Sequence, residues 1–154
     1  MLDLVEGAKI MNGKSNSTGG TTAAGYGDWI NMEGMHCVWA ICSANVGTSG
    51  PTFSGFVADS YAGATPTRAS CQYWRTTGIE IDKFVASTQT TGLACPDAVA
   101  ALVAIRFDPA SRANSSQQYF AVNHTTHNGN VNIVYIGQPR YGGLGQILAT
   151  SSST

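Results

Sequence analysis

Charged residues are scarce in this chain: Asp, Glu, Lys and Arg make up 11% of its 154 residues, against roughly 25% in an average soluble domain. Nine acidic and eight basic side chains leave a net charge of −1. Binding to a nucleic-acid backbone requires a concentrated basic surface, so we expect no nucleic-acid partner. A surface this poor in charge repels its own copies weakly, and we expect partners to cover much of it.

Long hydrophobic runs are also absent. No stretch approaches the roughly 18–20 apolar residues that a membrane-spanning helix needs, so we expect no membrane association. Asp3 and Glu6 stand where a secretory signal peptide has a basic region followed by an uninterrupted apolar core. We therefore expect the chain to be made in the cytoplasm.

The four cysteines form no CxxC pair and show no zinc-site spacing. Cys37 and Cys42 lie five residues apart in one apolar strand, so they point to opposite faces and cannot bridge each other. We expect buried free thiols that pack as small hydrophobic side chains. A disulfide that involves Cys71 or Cys95 is the alternative outside a reducing compartment.

Short β-type runs and many turn residues, including 18 Gly, make up most of the chain. Their spacing is typical of a sandwich or barrel. We predict an all-β fold, an antiparallel β-sandwich of the jelly-roll or immunoglobulin-like type with about eight strands. The predicted strands span residues 26–32, 35–44, 52–59, 68–75, 79–86, 98–108, 118–127 and 130–138.

Three local patterns add detail to this prediction. Asn128-Gly129 between two β runs predicts a two-residue hairpin turn, in which both residues need positive φ. Trp39 lies in the most apolar run and is expected in the core. One helical turn is allowed near residues 95–101.

Both ends of the chain have the composition of extended arms. Residues 1–25 are predicted to be an N-terminal arm or linker, residues 26–141 the β-sandwich domain, and residues 142–154 a C-terminal tail. Arms of this kind add backbone hydrogen bonds to the exposed sheet edges of neighbouring molecules.

No motif for enzymatic chemistry is found: the chain has neither a G-x-S-x-G nucleophile turn nor a phosphate-binding loop with its lysine. Glu80 and Asp82 share a strand face, as a glycosidase pair would, but beside Lys83 they are better explained as an exposed, solvated face. The odd spacing of His124 and His127 puts them on opposite faces of a strand, so we expect solvent-facing or hydrogen-bonded side chains. We predict no enzyme, no catalytic residue, no cofactor and no metal.

The aromatic run Tyr73-Trp74-Arg75 has the residue types of a platform on which sugars or bases stack. Adjacent strand residues face opposite ways, so Tyr73 and Trp74 cannot form one flat surface. Core packing or a subunit contact is the favoured role for most of the aromatic rings.

Several short elements, taken in order, resemble those of small structural proteins from tailed bacteriophages. They are the strand at residues 29–34, the run Tyr73-Trp74-Arg75, the strand that ends at Asp108, the stretch at 118–123, and the last strand with its Arg140-Tyr141 close. The resemblance spans residues 28–142. His36, Cys37, Cys42 and Pro139 depart from the pattern.

The resemblance implies a capsid decoration (cement) protein, which is made in the host bacterial cytoplasm and sits on the outer capsid surface of the virion, where it clamps adjacent capsomers. It implies two partners, the major capsid protein of the same virus and further copies of this chain, most commonly as a trimer, and it brings no catalytic residues. Another virion role (tail, adaptor or head–tail joint) and a carbohydrate- or receptor-binding β-sandwich are the alternatives. The residues expected at interaction surfaces are Leu2, Leu4, Val5, Ile10, Trp74, Arg75, Arg140 and Tyr141.

Overall fold

Strands make up most of the described part of the chain. A computed structural model describes residues 9–15, 24–45, 48–77, 80–97 and 99–140. The strands are β1 (Lys9–Ser15), β2 (Gly25–Tyr26), β3 (Ile30–Asn31), β4 (Met35–Ala44), β5 (Thr52–Ala58), β6 (Thr67–Arg68), β7 (Gln72–Thr77), β8 (Glu80–Ser87), β9 (Leu93–Ala94), β10 (Ala101–Phe107), β11 (Tyr119–His124) and β12 (Val131–Pro139). One 3-10 helix, Pro109–Ser111, follows β10.

Two antiparallel sheets share one core. The large sheet has the order β1-β12-β4-β10-β7-β8, and the small sheet has the order β2-β11-β5-β6, with β3 also on β11 and β9 on β5. Buried apolar residues from both sheets form a single cluster between them. The predicted all-β sandwich is confirmed.

The strand pairing is nested, and this decides between the two predicted sandwich types. Without β3, β9 and the β7–β8 hairpin, eight strands remain. The first pairs with the last (β1 with β12), the second with the seventh (β2 with β11), the third with the sixth (β4 with β10) and the fourth with the fifth (β5 with β6). This is the strand order of a jelly roll. The β7–β8 hairpin is an insertion that widens the large sheet.

Several predicted elements have different boundaries in the structure. The strand predicted at residues 26–32 is two short strands, β2 and β3, which both pair with β11. The single strand predicted at residues 68–75 is two strands, because Arg68 pairs with Phe56 in the small sheet whereas Gln72 pairs with Arg106 in the large one. The chain crosses between the sheets at residues 69–71. The helical turn allowed near residues 95–101 does not form among the described residues there, and the 3-10 helix lies further on.

The predicted Asn128-Gly129 hairpin is wrong. β11 and β12 lie in different sheets, and positive φ among the described residues is confined to Gly34, Gly63 and Thr65. The segment instead crosses between the sheets. A Cβ on Gly129 would meet Oδ1 of Asn45 and Nε2 of His127, so close packing against these side chains, rather than a left-handed turn, favours glycine here.

Part of the predicted N-terminal arm is a strand of the domain itself. β1 pairs with β12 along its length, with a bulge between Asn12 and Lys14, and forms the first strand of the jelly roll. The remaining arm residues 1–8 and 16–23, and residues 141–154, lie outside the described residues.

Two buried tyrosines connect the sheets by hydrogen bonds. The Tyr73 hydroxyl on β7 accepts the Gly55 N–H at 3.1 Å, and the Tyr135 hydroxyl on β12 accepts the Val122 N–H at 3.0 Å. Gly55 and Val122 face each other across the β5–β11 ladder, so the large sheet satisfies two backbone donors of the small one. Burial raises the pKa of both phenols.

All four cysteines are buried free thiols, as predicted. Cys42, Cys71 and Cys95 belong to the core, whereas Cys37, on the other face of β4, donates its thiol to Oε1 of Gln138 at 3.1 Å. Burial raises the pKa of Cys71 and of Cys95 to about 12. The pKa of Cys42 is also raised well above its ordinary value, by burial first and by its neighbour Cys95 second.

Removing one cross-sheet hydroxyl should weaken the fold. In Tyr135→Phe the buried Val122 N–H loses its acceptor, which costs about 1–3 kcal/mol of unfolding free energy. Urea unfolding measures this, with Tyr61→Phe as the control because Tyr61 is 61% exposed. Equal stabilities of the two variants would contradict the role of the hydroxyl.

The buried thiols should make the fold less stable at alkaline pH. Cysteines of the unfolded chain ionise near pH 8.5, whereas Cys71 and Cys95 hold their protons to about 12 when folded. Their contribution is complete below about pH 8.5 and decreases above it, by about 1–2 kcal/mol per thiol at pH 10. Urea unfolding in reductant between pH 7 and 10 tests this. A double variant, Cys71→Ala with Cys95→Ala, should lose less stability over that range, and parallel pH profiles would refute the explanation.

Candidate interaction surface

The outer face of the large sheet is apolar and exposed. Successive strand residues point to opposite faces, and on β4 the side chains of Val38, Ala40 and Cys42 enter the core. Trp39 and Ile41 therefore point outward. The hydrophobic side chains that share this face, here called the outer apolar face, are Ile10, Trp39, Ile41, Trp74, Phe84, Ala86, Leu102, Ala104, Val134 and Ile136.

The strand register aligns these side chains in continuous rows across the sheet. One row contains Ile10, Ile136, Trp39, Arg106 and Gln72. The next row contains Asn12, Val134, Ile41, Ala104, Trp74 and Ala86. The apolar surface therefore extends over all six strands of the large sheet.

Two tryptophans form the centre of the outer apolar face. The ring centroids of Trp39 and Trp74 are 5.2 Å apart, with an angle of 33° between the ring planes. Their strands are separated by β10, where Ala104 is 6% exposed, and this small side chain leaves room for both indoles. The prediction that Trp39 lies in the core is wrong, because its neighbours Val38 and Ala40 occupy the inward positions of β4.

The outer apolar face is almost free of charge. Arg106 is the one charged side chain that the structure describes on it, and its Nη1 donates to Oε1 of Gln72 at 3.0 Å. Val134 is 37% exposed, Phe84 41% and Ile10 55%. Monomeric soluble proteins rarely expose contiguous apolar patches larger than a few hundred Å², and larger ones mark interaction sites.

The structure brings together two of the residues predicted to make interactions, Ile10 and Trp74, on the outer apolar face. It separates Arg75 from them, because Nη1 of Arg75 donates to the Ala94 carbonyl at 2.9 Å, across to a strand of the small sheet. Leu2, Leu4, Val5 and Tyr141 lie outside the described residues. Ile41, Val134 and Ile136 are not singled out in the sequence analysis. Their signal is that β4 and β12 carry apolar residues at both odd and even positions, which indicates a second apolar face.

Arg140 lies at one end of the jelly roll, away from the outer apolar face. It is exposed, and its N–H donates to the Gly34 carbonyl at 2.8 Å. Together with Arg112, Glu33 and Gln118 it lines a pocket of about 210 Å³. Two guanidinium groups and one carboxylate therefore line this pocket.

The two histidines considered as metal ligands, His124 and His127, do not form a metal site in the described part of the chain. His124 and His127 are both buried, so the solvent-facing alternative is wrong. The ring nitrogens of His127 lie 2.8 Å from the Ser49 carbonyl oxygen and 3.1 Å from that of Asn45. In the described part of the chain, no three His, Cys, Asp or Glu residues are grouped as metal ligands would be.

Neither the carboxylate pair considered for catalysis nor a membrane-spanning helix is found in the described residues. Glu80 and Asp82 both belong to β8, but their side chains lie outside the described part of the structure. Within the described ranges no helix is long and apolar enough to cross a membrane.

The outer face of the small sheet also carries aromatic rings, without forming a flat platform. Tyr26 stands edge-on to Phe56, with an angle of 88° between the planes, and is tilted by 33° from Trp29. The guanidinium carbon of Arg68 lies 5.5 Å from the centre of the Phe56 ring. A coplanar pair, Phe107 with Phe120 at 8°, is buried in the core. A sugar-stacking surface of coplanar exposed rings is therefore not found among the described residues.

Comparison with known proteins shows the fold but no family. No protein-family model matches the chain, and no curated protein sequence matches it. Among solved structures, the chain is similar to the SPBc2 prophage-derived protein YomS, with a TM-score of 0.51 and 10% sequence identity. The similarity covers 84% of this chain and 91% of that one, so the two proteins share an overall fold.

Proposed function

We propose that this chain is a non-enzymatic structural protein of a bacteriophage virion that binds the outer capsid surface and stabilises the capsid by clamping adjacent capsomers. The observation that carries the proposal is the outer apolar face, because an exposed apolar surface that extends over six strands, with Arg106 as the one charge described on it, marks an interaction site. A role in assembly explains this surface without invoking catalysis.

The phage setting rests on two kinds of similarity. The order of short sequence elements resembles small structural proteins of tailed bacteriophages, and the jelly roll is a fold that viral capsid proteins use. The fold shared with a prophage-derived protein supports the same setting. A decoration protein is the form of this role that the sequence resemblance favours over a tail or adaptor protein.

The end of the jelly roll that carries Arg140 is the proposed attachment end. Antiparallel pairing places Lys9 at the start of β1 beside Gly137 near the end of β12, so residues 1–8 and 141–154 join the domain at the same end. Most of the predicted interaction residues belong to these segments or adjoin them. Weak contacts at this end, repeated over a capsid lattice, would add up to stable attachment.

The test is co-sedimentation of the purified full chain with undecorated heads of its own virus. We expect stoichiometric binding and heads that withstand higher temperature. A chain that lacks residues 2–8 but keeps β1 should bind at least about tenfold more weakly, because the loss of about 1.4 kcal/mol of contact raises the dissociation constant tenfold. Tyr61→Ala, at an exposed position, is the control.

Two results would count against parts of this proposal. Protein that stays in the supernatant would contradict capsid decoration, and binding to purified tails or to a glycan array would then identify the alternative. Full binding by the shortened chain would contradict the proposed attachment end but not capsid decoration itself.

A further inference from the structure

We propose that the outer apolar face binds a second copy of this chain, in a dimer with twofold symmetry. This inference concerns the chain alone and does not depend on its binding to a capsid. It assigns the large sheet to self-association and leaves the attachment end free for other partners.

The size of the face suits a specific dimer. Six strands about 4.8 Å apart, with three outward residues about 7 Å apart along each, give a surface of about 25 by 20 Å, on the order of 500 Å². Two copies would then bury on the order of 1,000 Å², which is the lower limit of specific protein–protein interfaces. A side chain or a short loop of another protein would leave most of the face exposed.

The charge of the face also favours a second copy. Arg106 is the one charged side chain that the structure describes on this face, so a strongly acidic or basic partner would find little complementary charge there. The net charge of −1 means that two copies approach without appreciable repulsion. An identical apolar face is therefore a well-matched partner.

The shape of the face allows two sheets to stack. Face-to-face sheets lie about 10 Å apart, with side chains from both interdigitating between them. Trp39 and Trp74 lie side by side over Ala104, which is 6% exposed, whereas the small side chain of Ala86 is exposed at the neighbouring strand. A surface that packs against its own copy generates a twofold axis, whereas the trimer implied by the sequence resemblance would require two different surfaces.

Light scattering of the full chain from 1 to 100 µM tests the dimer. We expect a mass of twice the 16.1 kDa chain. Val134→Glu places a carboxylate on the face at a position that is 37% exposed, so the monomer can fold, and it should raise the dimer dissociation constant at least about 100-fold because that charge would be buried without a partner. Tyr61→Glu, at a position outside the face, should remain dimeric.

A second measurement on the unaltered chain avoids any folding defect of the variant. Dilution of the dimer should expose Trp39 and Trp74 and shift tryptophan emission to longer wavelength, with the same midpoint as the loss of mass. Circular dichroism of Val134→Glu and Tyr61→Glu should match that of the unaltered chain.

Four outcomes would overturn the inference. The first is a monomer at 100 µM, and the second is a trimer. The third is a dimer that Val134→Glu leaves intact, which would place the contact on another surface. The fourth is a full-length monomer that dimerises once residues 2–8 are removed, which would make the chain's own N-terminal segment the occupant of the face. None of these experiments uses phage heads, so their failure is distinct from failure of capsid binding.

Discussion

Two hydrogen bonds between the sheets determine which side of the large sheet is inside. The hydroxyls of Tyr73 and Tyr135 reach backbone N–H groups of the small sheet, so these side chains must point inward. Strand side chains alternate with a period of two, and a slip of one residue would exchange the faces. With Tyr73 inside, Trp74 is outside, and with Tyr135 inside, Val134 and Ile136 are outside. The constraint that builds the core thus also places the outer apolar face.

The inserted β7–β8 hairpin gives this jelly roll its unusual width. It extends the large sheet beyond β10 and supplies Trp74, the indole partner of Trp39. Phe84 and Val85, neighbours on β8, are 41% and 44% exposed, so this edge strand exposes one large apolar side chain on each face. The hairpin therefore adds to both faces of the large sheet: Tyr73 belongs to the core, and Trp74 and Phe84 extend the outer apolar face.

The fold class and most strands could be predicted from the sequence because short β runs separated by turn residues are compatible with few fold classes other than a sandwich or barrel. The sheet to which each strand belongs could not. Asn128-Gly129 has the local pattern of a hairpin, but long-range pairing sends β11 and β12 to different sheets. The core prediction for Trp39 is wrong for a similar reason. Odd and even positions of β4 are both apolar, and only the pairing of β4 with β10 and β12 shows which residues point inward. The resemblance of the run Tyr73-Trp74-Arg75 to phage structural proteins predicts an interaction role for Trp74, whereas the rows across six strands require knowledge of the strand register.

We propose two separate surfaces for assembly on this jelly roll: the outer apolar face and the end at which Lys9 lies beside Gly137. The central claim is that the outer apolar face is covered when the protein works. A cryo-electron microscopy reconstruction of the virion at side-chain resolution tests it most directly. The account predicts the sandwich on the outside of the capsid, with Trp39 and Trp74 buried against a second copy. A face that looks into solvent in the assembled virion would contradict it.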